Sequence, residues 1–190
     1  VVFMTPFEKV VDRIVSMKSA PQRVELASFL AECKAVHEGR AEGCPGPSPY
    51  GQLAEAIDKR LALKFPWGER LNIMTCLEHL LRNADMLLSE AEREKLIAAK
   101  KAAEAAEAAA AGDSKRAKKS VAMMSHLQYM QHLCSEGEED EYSAASILAY
   151  FNENPEDVQR NIHVVQSSLK EKSKKVLAIL GIPERVGGSS

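Results

Sequence analysis

Thr5-Pro6-Phe7-Glu8-Lys9-Val10-Val11-Asp12-Arg13-Ile14 returns 43 residues later as Ser48-Pro49-Tyr50-Gly51-Gln52-Leu53-Ala54-Glu55-Ala56-Ile57. A hydroxyl residue, a proline, an aromatic and a helical apolar stripe recur in the same order. Arg23-Val24-Glu25-Leu26-Ala27-Ser28-Phe29-Leu30 is echoed by Arg70-Leu71-Asn72-Ile73-Met74-Thr75-Cys76-Leu77, at a spacing of 47. Two helices per unit, repeated twice, predict an all-α fold built on antiparallel helical hairpins, a short α-solenoid followed by further helices and no sheet.

The bulk composition agrees. Apolar residues make up 45% of the 190, enough for a globular core, while aromatics are only 5%. With Ala, Leu, Glu and Lys frequent, helix is favoured over sheet. A formal net charge of −2 points to neither nucleic acid nor anionic lipid as a partner. No apolar run approaches the roughly 20 residues needed to span a bilayer. No signal peptide is visible, and the chain begins at Val1, compatible with removal of a targeting peptide or with truncation.

Local signals place the helices. Thr5 is an eligible N-cap with Pro6 at the first helical position, and Phe7, Val10, Val11, Ile14 and Met17 form the stripe behind it. A second helix is expected over 21–38 with Val24, Leu26, Ala27, Leu30, Cys33 and Val36 inward and Gly39 as its stop. Gly43-Cys44-Pro45-Gly46-Pro47-Ser48 is a loop, and Ser48 caps a third helix with Tyr50, Leu53, Ala54, Ile57, Leu61 and Leu63 inward. Lys64-Phe65-Pro66-Trp67-Gly68 interrupts it, and a fourth helix carries Leu71, Ile73, Met74, Leu77, Leu80 and Leu81 to about Leu88. Ser89 with Glu92 reads as a capping box. The apolar stripe vanishes over 98–111, an alanine run that favours helix but has little to bury.

These signals divide the chain into a helical-repeat domain at 1–97, an alanine-rich bridge at 98–114, a C-terminal helical bundle at 115–186 and a tail at 187–190. Within the C-terminal bundle, a first helix runs from the basic cluster at 115–119 through Val121, Met124, Leu127, Met130 and Leu133. An acidic loop at 136–141 follows, then a short helix burying Ile147, Leu148 and Phe151. Asn154-Pro155 opens a last helix that continues to Leu180, where Gly181 stops it. Seven or eight helices result.

No arrangement of residues carries catalysis. GxSxG, a phosphate-cradling glycine loop, HExxH and DxDxDG are all missing from the sequence. Cys33, Cys44, Cys76 and Cys134 form no CxxC pair and read as buried thiols in a reducing compartment. His126 and His132 are six apart, on different faces of a helix, and make a poor metal pair. His132 beside Cys134 lacks an orienting acid at helical spacing. The acidic loop lacks the ligand spacing of a calcium site, and the basic cluster lacks interleaved aromatics for base stacking. The expectation is therefore no catalytic, cofactor or metal site.

Phe65-Pro66-Trp67 contains the only tryptophan, placed between helices. It reads either as a plug over the core or as an aromatic anchor for a partner protein. Phe65, Trp67 and Tyr50 are the candidate interface residues.

The stretch from Glu38 through Gly39, Pro49 and Tyr50 to Leu53, with Thr5-Pro6-Phe7 before it, resembles the junctions of the pentatricopeptide-repeat family: a glycine, a proline, then an aromatic in the next helix. The resemblance covers roughly 5–88, and the longer loop around Cys44 departs from the family's usual spacing. It implies a hairpin array that binds other macromolecules, with Gln52 near a base-reading position if the ligand is RNA. Proteins similar to this architecture occur as non-catalytic subunits of mitochondrial complexes. They include pentatricopeptide-like subunits on the F1 head of euglenozoan ATP synthases and the matrix-side Va-type subunits of cytochrome c oxidase. The resemblance implies a mitochondrial, matrix-side subunit that docks on larger proteins, with organellar RNA as the alternative partner.

Overall fold

In the computed structural model, which describes residues 4–41, 50–110, 120–135 and 142–184, the Thr5 hydroxyl accepts the Glu8 N–H at 3.1 Å and opens α1 (Pro6–Val15). The side chains of 40–41 and 134–135 also lie outside the description. So do the expected loop around Cys44, the Ser48 cap, the boundary at 112–114, the basic cluster 115–119, the acidic run 136–141 and the tail. α1 buries Phe7, Val10, Val11 and Ile14, the stripe expected of it.

α2 (Arg23–Ala41) buries Phe29 and Cys33. Val24, expected inward, is 79% exposed, and Ala27 is exposed too. Nine residues, about two and a half helical turns, put Val24 opposite Cys33. Gly39 does not stop the helix: the only positive φ among the described residues belongs to Gly181, and α2 continues to Ala41. α3 (Tyr50–Lys59) buries Tyr50, Leu53, Ala54 and Ile57. Because regular helix ends at Lys59, the phase is lost, and Leu63 is exposed instead of inward.

α4 (Trp67–Arg82) is buried on nearly every side, including Ile73, Met74, Cys76, Leu77, Leu80 and Leu81. Asn83 ends it earlier than expected, its Nδ2 donating to the His79 carbonyl at 2.8 Å, and a 3-10 turn at Ala84–Leu87 follows. Ser89 and Glu92 make the reciprocal capping bonds of α5 (Glu90–Ala109) at 3.1 and 3.2 Å. Its alanine-rich half is exposed from 105 onward, while Leu96 is buried and Ala99 and Ala103 pack partly on the core.

The helix expected to run through Val121 and Met124 is two elements. A 3-10 turn, Val121–Met123, ends at an extended Met124, and Ser125 with Gln128 bonds reciprocally at 3.1 and 3.0 Å to open α6 (His126–Ser135). α7 (Ala145–Glu153) buries Ile147, Leu148 and Phe151. Asn154 does not cap the next helix; its Nδ2 donates back to the Tyr150 carbonyl at 2.9 Å and closes α7.

The single last helix expected from the sequence is also broken. α8 (Glu156–Arg160) passes into a 3-10 turn at Asn161–His163, Val164 is extended, and α9 runs over Ser167–Leu180. The break serves Asn161, whose Nδ2 donates to the Asp157 and Leu61 carbonyls at 2.7 and 2.9 Å. Gly181, at φ 69°, ends α9 as expected. Its N–H donates to the Ala178 carbonyl and that of Ile182 to the Leu177 carbonyl, at 3.2 and 3.0 Å, a Schellman pair.

The described residues are helical, with no strand among them. α4 is the axis of the packing, with α9, α1 and α2 around it; α3 packs on α7 and α1, and α6 on α7 and α5. Glu78 meets Lys172, and Arg82 farther along α4 shares a cleft with Ala178 and Ile179 farther along α9, so α9 runs alongside α4 in the same direction. α3 against α4, the pairing of a second hairpin, is not among the principal contacts. The sequence separates 1–97 from 115–186, whereas the buried cluster draws on both: α9 covers α4, and α7 covers α3.

Candidate docking site

The segment 60–66 joins α3 to α4 and is pinned at both ends by one long-range network. Asn161, fully buried, donates to the Leu61 carbonyl. Arg70, one turn into α4, donates from Nε to the Phe65 carbonyl at 3.0 Å and from Nη1 to Asn161 Oδ1 at 2.5 Å. Burial works against the charge of Arg70 and lowers its pKa, yet guanidinium stays protonated. Both of these acceptors are neutral oxygens rather than carboxylates. Asn72 on the same helix donates to the Met17 carbonyl at 3.1 Å, satisfying a group left open at the end of α1.

This pinning presents the Pro66–Trp67 corner outward. Pro66 is exposed at the N-cap, and Trp67, the first residue of α4, is 46% exposed. Trp67 rims a groove of about 420 Å³ shared with Val15, Met17, Ala20 and Leu71. The parallel course of α9 brings the 164–166 corner to this same end, where Val165 is 92% exposed. Phe65 is half-buried, with the Arg60 guanidinium 4.9 Å and the Lys64 ammonium 5.2 Å from its ring centroid. It faces a second groove of about 560 Å³ with Met4, Val11, Lys59 and Asp157.

Tyr50 is not at this surface. Its side chain is 0% exposed, lies 4.3 Å from the His37 ring in a stacked pair, and donates to the Leu87 carbonyl at 3.2 Å. Burial raises the pKa of its phenol. Of the three candidate interface residues, Tyr50 therefore lies in the core, while Phe65 and Trp67 lie at the junction of α3 and α4, half-buried and exposed respectively. Gln52 is exposed on α3.

A cleft of about 750 Å³ lies where α4, α6 and α9 approach one another. His126 and His132, expected on different faces, both line it, with Arg82, Asp85 and Gln128. Six residues leave the two side chains about a third of a turn apart, near enough for one wide cleft. No three His, Cys, Asp or Glu residues converge as metal ligands among the described residues. No helix among them is long and apolar enough to cross a membrane.

Cys33 and Cys76 are both buried free thiols. Burial pushes the Cys76 thiol up to about 12, and burial together with neighbouring Cys76 pushes Cys33 higher still. Both are expected to stay unmodified when the native protein is treated with a thiol-reactive alkylator at neutral pH, and to react fully in denaturant. Peptide mapping by mass spectrometry checks this; rapid native labelling of either contradicts it.

The Arg70–Asn161 contact had no signal in the sequence, because its partner lies 91 residues away. Searches of protein-family models, curated proteins and solved structures find no match to this chain.

Proposed function

We propose that this chain is a non-catalytic helical docking subunit that holds a partner protein at the end of the bundle occupied by Trp67. The exposure of the only tryptophan, on a rigidly pinned corner beside a groove where Val15, Met17 and Leu71 lie next to Lys18 and Glu69, carries the reading. A large aromatic left half in water costs hydration free energy, and binding recovers it. Tryptophan also concentrates affinity at protein interfaces. The corner is held by Arg70 and Asn161, so little ordering entropy opposes binding. The setting in a mitochondrial multi-subunit assembly, such as the F1 head of an ATP synthase or cytochrome c oxidase, rests on the resemblance to pentatricopeptide-like subunits.

Trp67→Ala is expected to weaken association with the native assembly on native gels at least about thirtyfold, equivalent to about 2 kcal/mol or more at a binding anchor. Its far-ultraviolet circular dichroism stays that of the wild type. Met123→Ser, at an exposed site on a different element, serves as the control and leaves assembly unchanged. Undiminished assembly of Trp67→Ala defeats the proposal. Salt-sensitive retention of single-stranded RNA by the isolated chain favours the RNA-binding alternative instead.

A further inference from the structure

Asp58 lies in the last turn of α3, where α7 packs against that helix. Its Oδ2 accepts the Tyr150 hydroxyl at 3.0 Å, a bond between residues 92 apart. Its Oδ1 is buried with no hydrogen-bond donor in reach. The charges around it are of both signs. α3 itself supplies Glu55, and the segment just after it supplies Arg60, whose Nε is likewise buried without a partner and whose Nη1 sits 3.6 Å from Asp12 of α1. α8 supplies Glu156, Asp157 and Arg160, the last held by Asp157 at 3.1 Å. α7 supplies the neutral Tyr150. A carboxylate here gives up water on one oxygen, faces two acids from α8, and gains one neutral hydrogen bond.

We propose that the α3–α7 contact around buried Asp58 is a proton-operated latch, held less tightly while the carboxyl is charged and more tightly when it takes up one proton, with the Tyr150 bond offsetting part of the cost of the buried charge. Charged Asp58 leaves a buried oxygen unsatisfied at the contact; neutral Asp58 keeps the Tyr150 bond without the desolvated charge. Burial is the main cause, and neighbouring Asp157 and Glu156 add to it, so the carboxyl is held up to about 6 against an ordinary 3.8. The folded state therefore binds this proton more tightly than the unfolded chain. The resulting stability is fully present below about 3.8, diminishes as pH rises through about 6, and is absent above it. The latch operates whether or not Trp67 holds a partner.

A carboxyl-carbon NMR titration of the wild-type chain is expected to show Asp58 with a midpoint near 6. A midpoint at or below about 4, the value of an unperturbed aspartate, overturns the latch. Tyr150→Phe removes the bond that favours the charged form and is expected to raise that midpoint; an unchanged or lower midpoint overturns the pairing. Asp58→Asn is expected to melt above the wild type at pH 7.5, with the difference shrinking toward zero at pH 5. His37 and His79, whose pKa values burial lowers, contribute equally to both proteins and cancel in that difference. A difference that does not change with pH also overturns the latch.

Discussion

Asn161→Ala is expected to lower the unfolding free energy by about 3–5 kcal/mol, because it leaves three buried hydrogen-bonding groups, one of them charged, without their partner. The Asn161 side chain is fully buried and uses three of its hydrogen-bonding positions: it donates to the Leu61 and Asp157 carbonyls and accepts from Arg70. Truncation leaves a buried guanidinium arm and two carbonyls facing a methyl group. Each deserted neutral group costs about 1–3 kcal/mol, and a charged one costs more. Urea unfolding at constant slope measures the loss. Adding Arg70→Met to Asn161→Ala removes the stranded charge, so the double variant is expected to lose at least about 1 kcal/mol less than the two single losses added together. A loss below about 1 kcal/mol for Asn161→Ala, or strict additivity, shows that the network does not hold the 60–66 segment.

Tyr50→Ala is expected to cost about 3–5 kcal/mol, as large-to-small substitutions of buried aromatics do. The ring is 0% exposed, stacks on His37, and lies 6.1 Å from Phe7 between ring centroids. Tyr50→Phe keeps that packing and strands the Leu87 carbonyl, so about 1 kcal/mol is expected. The same urea titrations separate the two variants. Their order also discriminates core from surface. If Tyr50→Ala leaves stability near the wild type while abolishing assembly, Tyr50 is a contact residue after all, and the buried placement fails.

These two residues illustrate different failures of sequence reading. Tyr50 was legible as a member of an apolar stripe, and its neighbours Leu53, Ala54 and Ile57 are buried with it. Its proline-aromatic context made it resemble a repeat junction and hence an interface, but burial depends on what covers the ring. Asn154 and Asn161 show the converse. Asn154-Pro155 has the composition of a helix start, yet the tyrosine carbonyl four residues earlier takes its side chain. Asn161 sits within a helical pattern, and partners across the fold draw its side chain away and interrupt the helix. The repeated sequence likewise produced two similar helices, α1 and α3, but α1 packs on α2 whereas α3 has its larger contact on α7.

What the chain determines by itself is local. Thr5, Ser89 and Gly181 act as their sequence context predicts, since a cap needs only donors and acceptors within a few residues. All-helical character and most buried stripes follow from propensity and spacing in the same way. The tertiary structure alone decided that Trp67 stays in water, that Tyr50 does not, and that the halves on either side of 98–114 share a core. Those outcomes hang on contacts such as Arg70 with Asn161, Asp58 with Tyr150 and Lys172 with Glu78, 91 to 94 residues apart. No periodicity encodes such a contact; it exists only once α7 lies on α3 and the 156–180 segment lies on α4, with water excluded from the surfaces between them.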